Sequence, residues 1–79
     1  ATPEDIAAYL EAAFEDGDPA QITHALGVIA RAEGMTEVAR RPGLTRASLY
    51  KALAAEGRPE FATVLKVLHA LGLKIKVAA

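Results

Sequence analysis

Cysteine is absent from this chain, so neither a disulfide nor a thiolate-ligated zinc site can contribute to its fold or its chemistry. Aromatic residues are scarce at 5 %, although hydrophobic residues reach 52 %, because alanine supplies many of them. That mixture favours helices in close contact over a β-sandwich, which draws on aromatic and β-branched side chains. No apolar run reaches spanning length and no secretory leader pattern is present, so no membrane partner is expected and the cytoplasm is the expected compartment. Seventy-nine residues make room for one domain, residues 1–79, with one core. A core of that size leaves association with a second copy as a further source of stability.

Positive charge is missing from the front of the chain. Residues 1–30 carry Glu4, Asp5, Glu11, Glu15, Asp16 and Asp18 and neither lysine nor arginine, a net of −6. Residues 31–58 carry Arg31, Arg40, Arg41, Arg46, Lys51 and Arg58 against Glu33, Glu37 and Glu56, a net of +3. Residues 59–79 add Lys66, Lys74 and Lys76 against Glu60, a net of +2. The overall charge of −1 argues against a nucleic-acid binder only while this polarity is ignored. An acidic front and a basic rear fit two different partners.

Helix signals succeed one another along the chain. Thr2-Pro3 opens an acidic helix over residues 3–16, with Ile6, Tyr9, Leu10, Ala13 and Phe14 on one stripe. Gly17 stops it, and Asp18-Pro19-Ala20-Gln21 restarts the chain with the signature of a capping box. Ile22, Ala25, Leu26 and Ile29 form the stripe of that second helix, which ends at Gly34. A short helix is expected from about Thr36 to Arg41, broken by Pro42-Gly43. A fourth, capped by Thr45, runs to about Ala54. After a loop at Glu56-Gly57-Arg58-Pro59, Phe61, Val64, Leu65, Leu68 and Leu71 mark a fifth helix ending at Gly72. Leu73-Lys74-Ile75-Lys76-Val77 then alternates apolar and charged residues, as a strand would over residues 73–77. A lone strand with an apolar face needs a partner. The economical one is the same strand of a second copy, which makes Leu71, Leu73, Ile75 and Val77 candidate dimerisation residues in a homodimer.

Residues 35–54 fit a helix-turn-helix. Ala39 is small where the two helices would approach most closely, and Gly43 sits at a turn that calls for a positive φ. Val38, Leu44, Leu49 and Leu53 fall on faces that would be buried. The second helix then turns Arg46, Ala47, Tyr50 and Lys51 outward, since i, i+1, i+4 and i+5 share one side. Those side chains suit a major groove: Arg bonds guanine bidentately, a methyl meets a thymine methyl, and Lys reaches a base edge or phosphate. Tyr50 suits a DNA contact too, or else a boundary aromatic. Thr36, Thr45 and Ser48 lie near helix N-termini, where free N–H groups and hydroxyls meet phosphate oxygens. An ordinary pair of short helices would explain the turn glycine, but not the agreement of small residue, turn, buried positions and polar face. Pro42 departs from the usual pattern and predicts a shortened first helix.

Four strings resemble the family of probable addiction-module antidote proteins. They are Asp18-Pro19-Ala20, Gly34-Met35-Thr36-Glu37-Val38-Ala39-Arg40-Arg41, Ser48-Leu49-Tyr50-Lys51-Ala52-Leu53 and Pro59-Glu60-Phe61-Ala62-Thr63-Val64-Leu65-Lys66-Val67-Leu68. The resemblance spans nearly the whole chain. It implies an antitoxin with a lambda-repressor-like DNA-binding fold that neutralises a small basic RNase-type toxin and represses its own operon. Ala1 falls inside that family's usual N-terminus, so a leader before it is expected. Arg58 stands where the family tends to carry an asparagine helix cap.

The expected fold is therefore all-α: a five-helix lambda-repressor-like DNA-binding domain with a short C-terminal β-strand used in dimerisation. Its expected partners are double-stranded operator DNA, a cognate toxin and a second copy. Glu11 and Glu15 on the acidic helix are the candidate toxin-binding residues, against the alternative of a merely solvated face. His24 and His69 lie on different helices without ligand partners at suitable spacing. Asp5, Glu15, Asp16 and Asp18 crowd helix ends as caps would, and no nucleophile accompanies them. No metal, cofactor or enzymatic activity is expected. The rival readings are a protein-interaction module that keeps the helix-turn-helix shape without DNA affinity, and a stand-alone repressor.

Overall fold

Five helices occupy most of residues 2–79, the part of the chain that the computed structural model describes; Ala1, the first residue of the expected domain, lies outside it. They are α1 (Pro3–Asp16), α2 (Pro19–Glu33), α3 (Met35–Ala39), α4 (Arg46–Ala52) and α5 (Phe61–Ala70). Their starts are written locally. The Thr2 hydroxyl accepts the Asp5 N–H and the Asp5 carboxylate accepts the Thr2 N–H, both at 3.2 Å, which satisfies two free donors reciprocally. At α2 the Asp18 carboxylate accepts the Ala20 N–H at 3.0 Å. No answering bond from Gln21 is found among the described residues, so the cap there is Asp18 alone. At α5 the N-cap is Glu60, two residues beyond Arg58, and its side chain makes no capping bond.

Leu26 of α2, Leu49 of α4 and Val67 of α5 are the largest side chains wholly withdrawn from solvent. Ile6 and Leu10 of α1, Val38 of α3, and Leu44, Leu53, Leu68 and Leu71 close the core around them. Each large aliphatic side chain buried this way contributes about 1.5–3 kcal/mol. All five helices thus share one core, the all-α architecture expected from composition.

Several expectations need correction. On α1, Ile6 and Leu10 are buried but Tyr9 and Phe14 remain 45 % and 39 % exposed. At about 100° per residue these two lie on opposite edges of the stripe, and only its centre is covered. On α5 the buried face is turned from the expected stripe toward Val67, with Leu68 and Leu71 beside it, and Phe61 is left 70 % exposed. Helix α3 spans Met35–Ala39 rather than residues 36–41, because a residue before proline is disfavoured in helical conformation. Arg41 accordingly lies in the turn. Helix α4 ends at Ala52, short of Ala54, because the chain doubles back there: a side chain at Gly57 would press on the backbone oxygen of Ala52 and come within 2.9 Å of that of Lys51.

The expected strand at residues 73–77 is not formed. Residues 73–79 carry no regular secondary structure, since a ladder needs a second strand and the described residues supply none. The segment is nonetheless anchored at its root. The Leu73 N–H donates to the Leu68 carbonyl at 2.9 Å, closing the end of α5, and half-buried Leu73 packs against the core. Beyond it Ile75 is 44 % and Val77 97 % exposed.

Candidate nucleic-acid interface

Helices α3 and α4 are joined by a turn over residues 40–45 whose shape follows from three backbone bonds. The Arg40 N–H donates to Glu37 at 3.2 Å, the Arg41 N–H to Val38 at 3.4 Å, and the Leu44 N–H to Arg41 at 3.2 Å. Gly43 takes φ +84° within that turn, a left-handed conformation that costs a side-chain-bearing residue roughly 1–2 kcal/mol. Leu44 is buried directly after it and Thr45 caps α4. Val38, Leu44, Leu49 and Leu53 are 3 %, 8 %, 0 % and 3 % exposed, so the inward side of the unit is fixed by packing. Ala39 is half-buried beside them.

The outward side carries Arg46, Ala47, Tyr50 and Lys51, all exposed, on one face of α4. The Arg46 guanidinium lies 5.6 Å from the centre of the Tyr50 ring. A contact of this kind is worth about 0.5–1 kcal/mol at an exposed site, enough to favour one arrangement of a long flexible side chain. Thr36 is exposed in the first turn of α3.

Thr45 and Ser48 are exposed too, but their hydroxyls are committed to each other. The Thr45 hydroxyl accepts the Ser48 N–H at 3.0 Å, and the Ser48 hydroxyl accepts the Thr45 N–H at 3.1 Å. The Thr45 hydroxyl donates to that of Ser48 at 2.9 Å, and Ser48 donates to the Thr45 carbonyl at 3.0 Å. Both hydroxyl protons are spoken for, so either side chain must give up the bond it donates, though not the N–H it caps, to donate to a phosphate. Removing this cap with Thr45→Ala should lower stability by about 1 kcal/mol, read as a shift of the urea midpoint at unchanged slope. An unshifted midpoint would show that α4 is held by its packing alone.

Lys66 has no role that the sequence alone assigns. It projects from α5 onto the turn, where its terminal carbon and ammonium lie 3.0 and 3.2 Å from the position a Gly43 side chain would occupy. The glycine thereby leaves room for a cation from α5 against the turn. Its only sequence signal is the turn glycine, which does not say what fills the space. Arg40, by contrast, is held 3.6 Å from Glu37 in an exposed pair, worth about 0–1 kcal/mol.

The other expected site residues lie elsewhere. Glu11 and Glu15 are exposed on α1, four residues apart. A groove of about 270 Å³ separates Ala7, Leu10, Glu11 and Phe14 from Leu73, Lys74, Ile75 and Lys76. The basic end of the chain thus returns alongside the acidic helix, so the charge polarity of the sequence does not become two distant poles. Of the expected dimerisation residues, Leu71 belongs to the chain's own core at 8 % exposure, which leaves Ile75 and Val77 as the exposed apolar members. His24 and His69 are exposed on α2 and α5.

Known proteins share this sequence pattern. A family model described as probable addiction module antidote protein matches residues 1–79. An uncharacterised protein of Haemophilus influenzae is 46 % identical over 74 residues, covering 94 % of this chain and 76 % of its own length. No solved structure matches.

Proposed function

We propose that this chain, which belongs to the family of probable addiction module antidote proteins, is the antitoxin of a type II toxin–antitoxin module that neutralises its toxin by direct binding and represses the module as a DNA-bound dimer. On this reading residues 35–54 form a helix-turn-helix within a lambda-repressor-like domain, and α4 is the recognition helix. The observation that carries the DNA half is the two-sidedness of α4. Leu49 and the residues around it lock one face into the core, while Arg46, Ala47, Tyr50 and Lys51 stand free on the other. Held rigidly, those four side chains read base edges. Thr36, Thr45, Ser48 and Lys66 lie where phosphates would pass, Lys66 contributing charge and the hydroxyls donors, those of Thr45 and Ser48 on giving up the bonds they now donate. The cytoplasm, where operator DNA lies, is the compartment this function requires.

A gel shift with the DNA upstream of the chain's own gene tests the reading. A retarded band that competitor DNA of scrambled sequence does not abolish supports it. Binding to the toxin with no preference for any duplex would favour the rival, an interaction module of the same shape.

Dimerisation through the C-terminal segment completes the repressor, since a symmetric operator is read by two copies. Ile75 and Val77, with Leu73 and the buried Leu71 at their root, supply the apolar side of that contact. Deleting residues 73–79 should weaken the dimer measurably in sedimentation equilibrium; an unchanged dimer would place the interface elsewhere. Glu11 and Glu15 are assigned to steering of a basic toxin. Glu11→Lys combined with Glu15→Lys should slow toxin association by about tenfold or more at low salt. Unchanged stopped-flow rates would reduce the acidic face to a solvated surface.

A further inference from the structure

A broad open surface feature lies outside α4 and its cap. It is a groove of about 820 Å³ between the α1–α2 corner and the loop leading into α5. Phe14 and Ile22 line it from α1 and α2, Phe61 and Val64 from α5, and Ile75, whose segment is assigned to the dimer, is also in the lining. Phe61 at 70 %, Ile75 at 44 % and Phe14 at 39 % are exposed here together, and aromatic and aliphatic residues gathered in one exposed concavity mark an interaction surface. None of the residues assigned to DNA lines it.

Charge discriminates among its possible occupants. Its lining carries Asp18 and Glu56 against Arg58, and the residues flanking the lining in sequence add Glu15, Asp16 and Glu60 against Lys74 and Lys76, a net of −2 in all. Lys74 and Lys76, the cations beside Ile75, line the other groove next to Glu11. A second copy docking groove to groove would set this negative charge against itself, whereas a cationic partner is attracted to it. We infer that this groove seats an apolar side chain borne on a basic segment of a protein partner. The inference rests on the antitoxin reading, under which that partner is the toxin, and Glu11 and Glu15 then steer a partner that Phe14 and Phe61 anchor. Buried aromatic anchors of this kind commonly dominate an interface.

Two variants test it by different means. Phe61→Ser removes a wall residue that the core does not use, and Ala20→Gln fills the groove from the exposed first turn of α2 while leaving every apolar anchor in place. Purified toxin is titrated into each by calorimetry, alongside operator affinity and sedimentation of the free protein. Both variants should bind toxin roughly tenfold or more weakly, with operator affinity and oligomeric state unchanged. Wild-type toxin affinity in both overturns the groove assignment while leaving the antitoxin reading in place. Loss of self-association at unaltered toxin affinity overturns it in favour of a second copy as the occupant. A wild-type chain that does not bind the toxin at all overturns the antitoxin reading and this inference with it.

Discussion

Leu49→Ala should remove about 2–5 kcal/mol of stability, a large share of the roughly 4–12 kcal/mol expected of a chain this long. Leu49 is 0 % exposed and is the one residue of α4 among the three largest wholly buried side chains, the others being Leu26 of α2 and Val67 of α5. Truncation removes its contacts with that core and leaves a cavity between helices that cannot fully close, because the α3–α4 turn and the approach of Gly57 restrain both ends of α4. The expected fall in Tm is roughly 10–25 °C for a domain of this size, read by circular dichroism at one fixed protein concentration, since association also moves Tm. Two neighbours calibrate the result. Leu49→Met, which nearly conserves volume, should cost less than about 1.5 kcal/mol, and Tyr50→Ala on the opposite face about 1 kcal/mol or less. Should Leu49→Ala and Tyr50→Ala prove equal, α4 would not be docked as described, and its outward residues would lose their fixed bearing.

Leu49 and Tyr50 also show how much of the fold is legible in the sequence. One is read as inward and the other as outward, and both lie so, because adjacent helical positions differ by about 100° and the apolar residues around Leu49 set the phase. Caps are legible for the same local reason: Thr2, Asp18 and Thr45 act on N–H groups two or three residues away. What is not legible depends on residues distant in sequence. The exposure of Phe61 and the burial of Val67 reflect how α5 is rotated against the rest of the core, which the periodicity of α5 alone leaves free within tens of degrees. Gly57 reads as one more loop residue, but it is where the chain doubles back onto the carbonyls ending α4. Lys66 reaches the α3–α4 turn from more than twenty positions away along the chain. The bond between Thr45 and Ser48 is local and readable in principle, since a hydroxyl at the third helical position can answer the cap much as a Glu or Gln does in a capping box. The alternation over residues 73–77 carries a real signal of amphipathicity, but alternation alone does not make a strand where no partner strand is present.

Arg46 and Arg41 should behave differently on DNA, and the difference tests the proposed recognition helix. Arg46 is the first residue of α4 after the Thr45 cap, and its guanidinium is steadied by the Tyr50 ring at 5.6 Å. A pre-positioned planar fork at the start of a recognition helix meets a guanine edge with little further loss of freedom. Arg46→Ala should therefore cost about 1–3 kcal/mol on the operator and little on scrambled duplex, so that discrimination narrows. Tyr50→Phe keeps the ring beneath Arg46 and should preserve most of that discrimination, whereas Tyr50→Ala should lose part of it. Arg41 lies in the turn, where its backbone accepts the Leu44 N–H and its side chain is exposed. On the proposed reading, that position places it against the phosphate backbone. Arg41→Ala leaves the backbone bond intact and should weaken operator and scrambled duplex alike, with the salt slope reduced by about one unit. Lys66→Ala should do the same if the two cations share a phosphate path. Titrations of each variant against both duplexes at two salt concentrations separate these effects. An Arg46→Ala protein that keeps full discrimination, while Arg41→Ala loses it, would reverse the roles assigned to α4 and the turn.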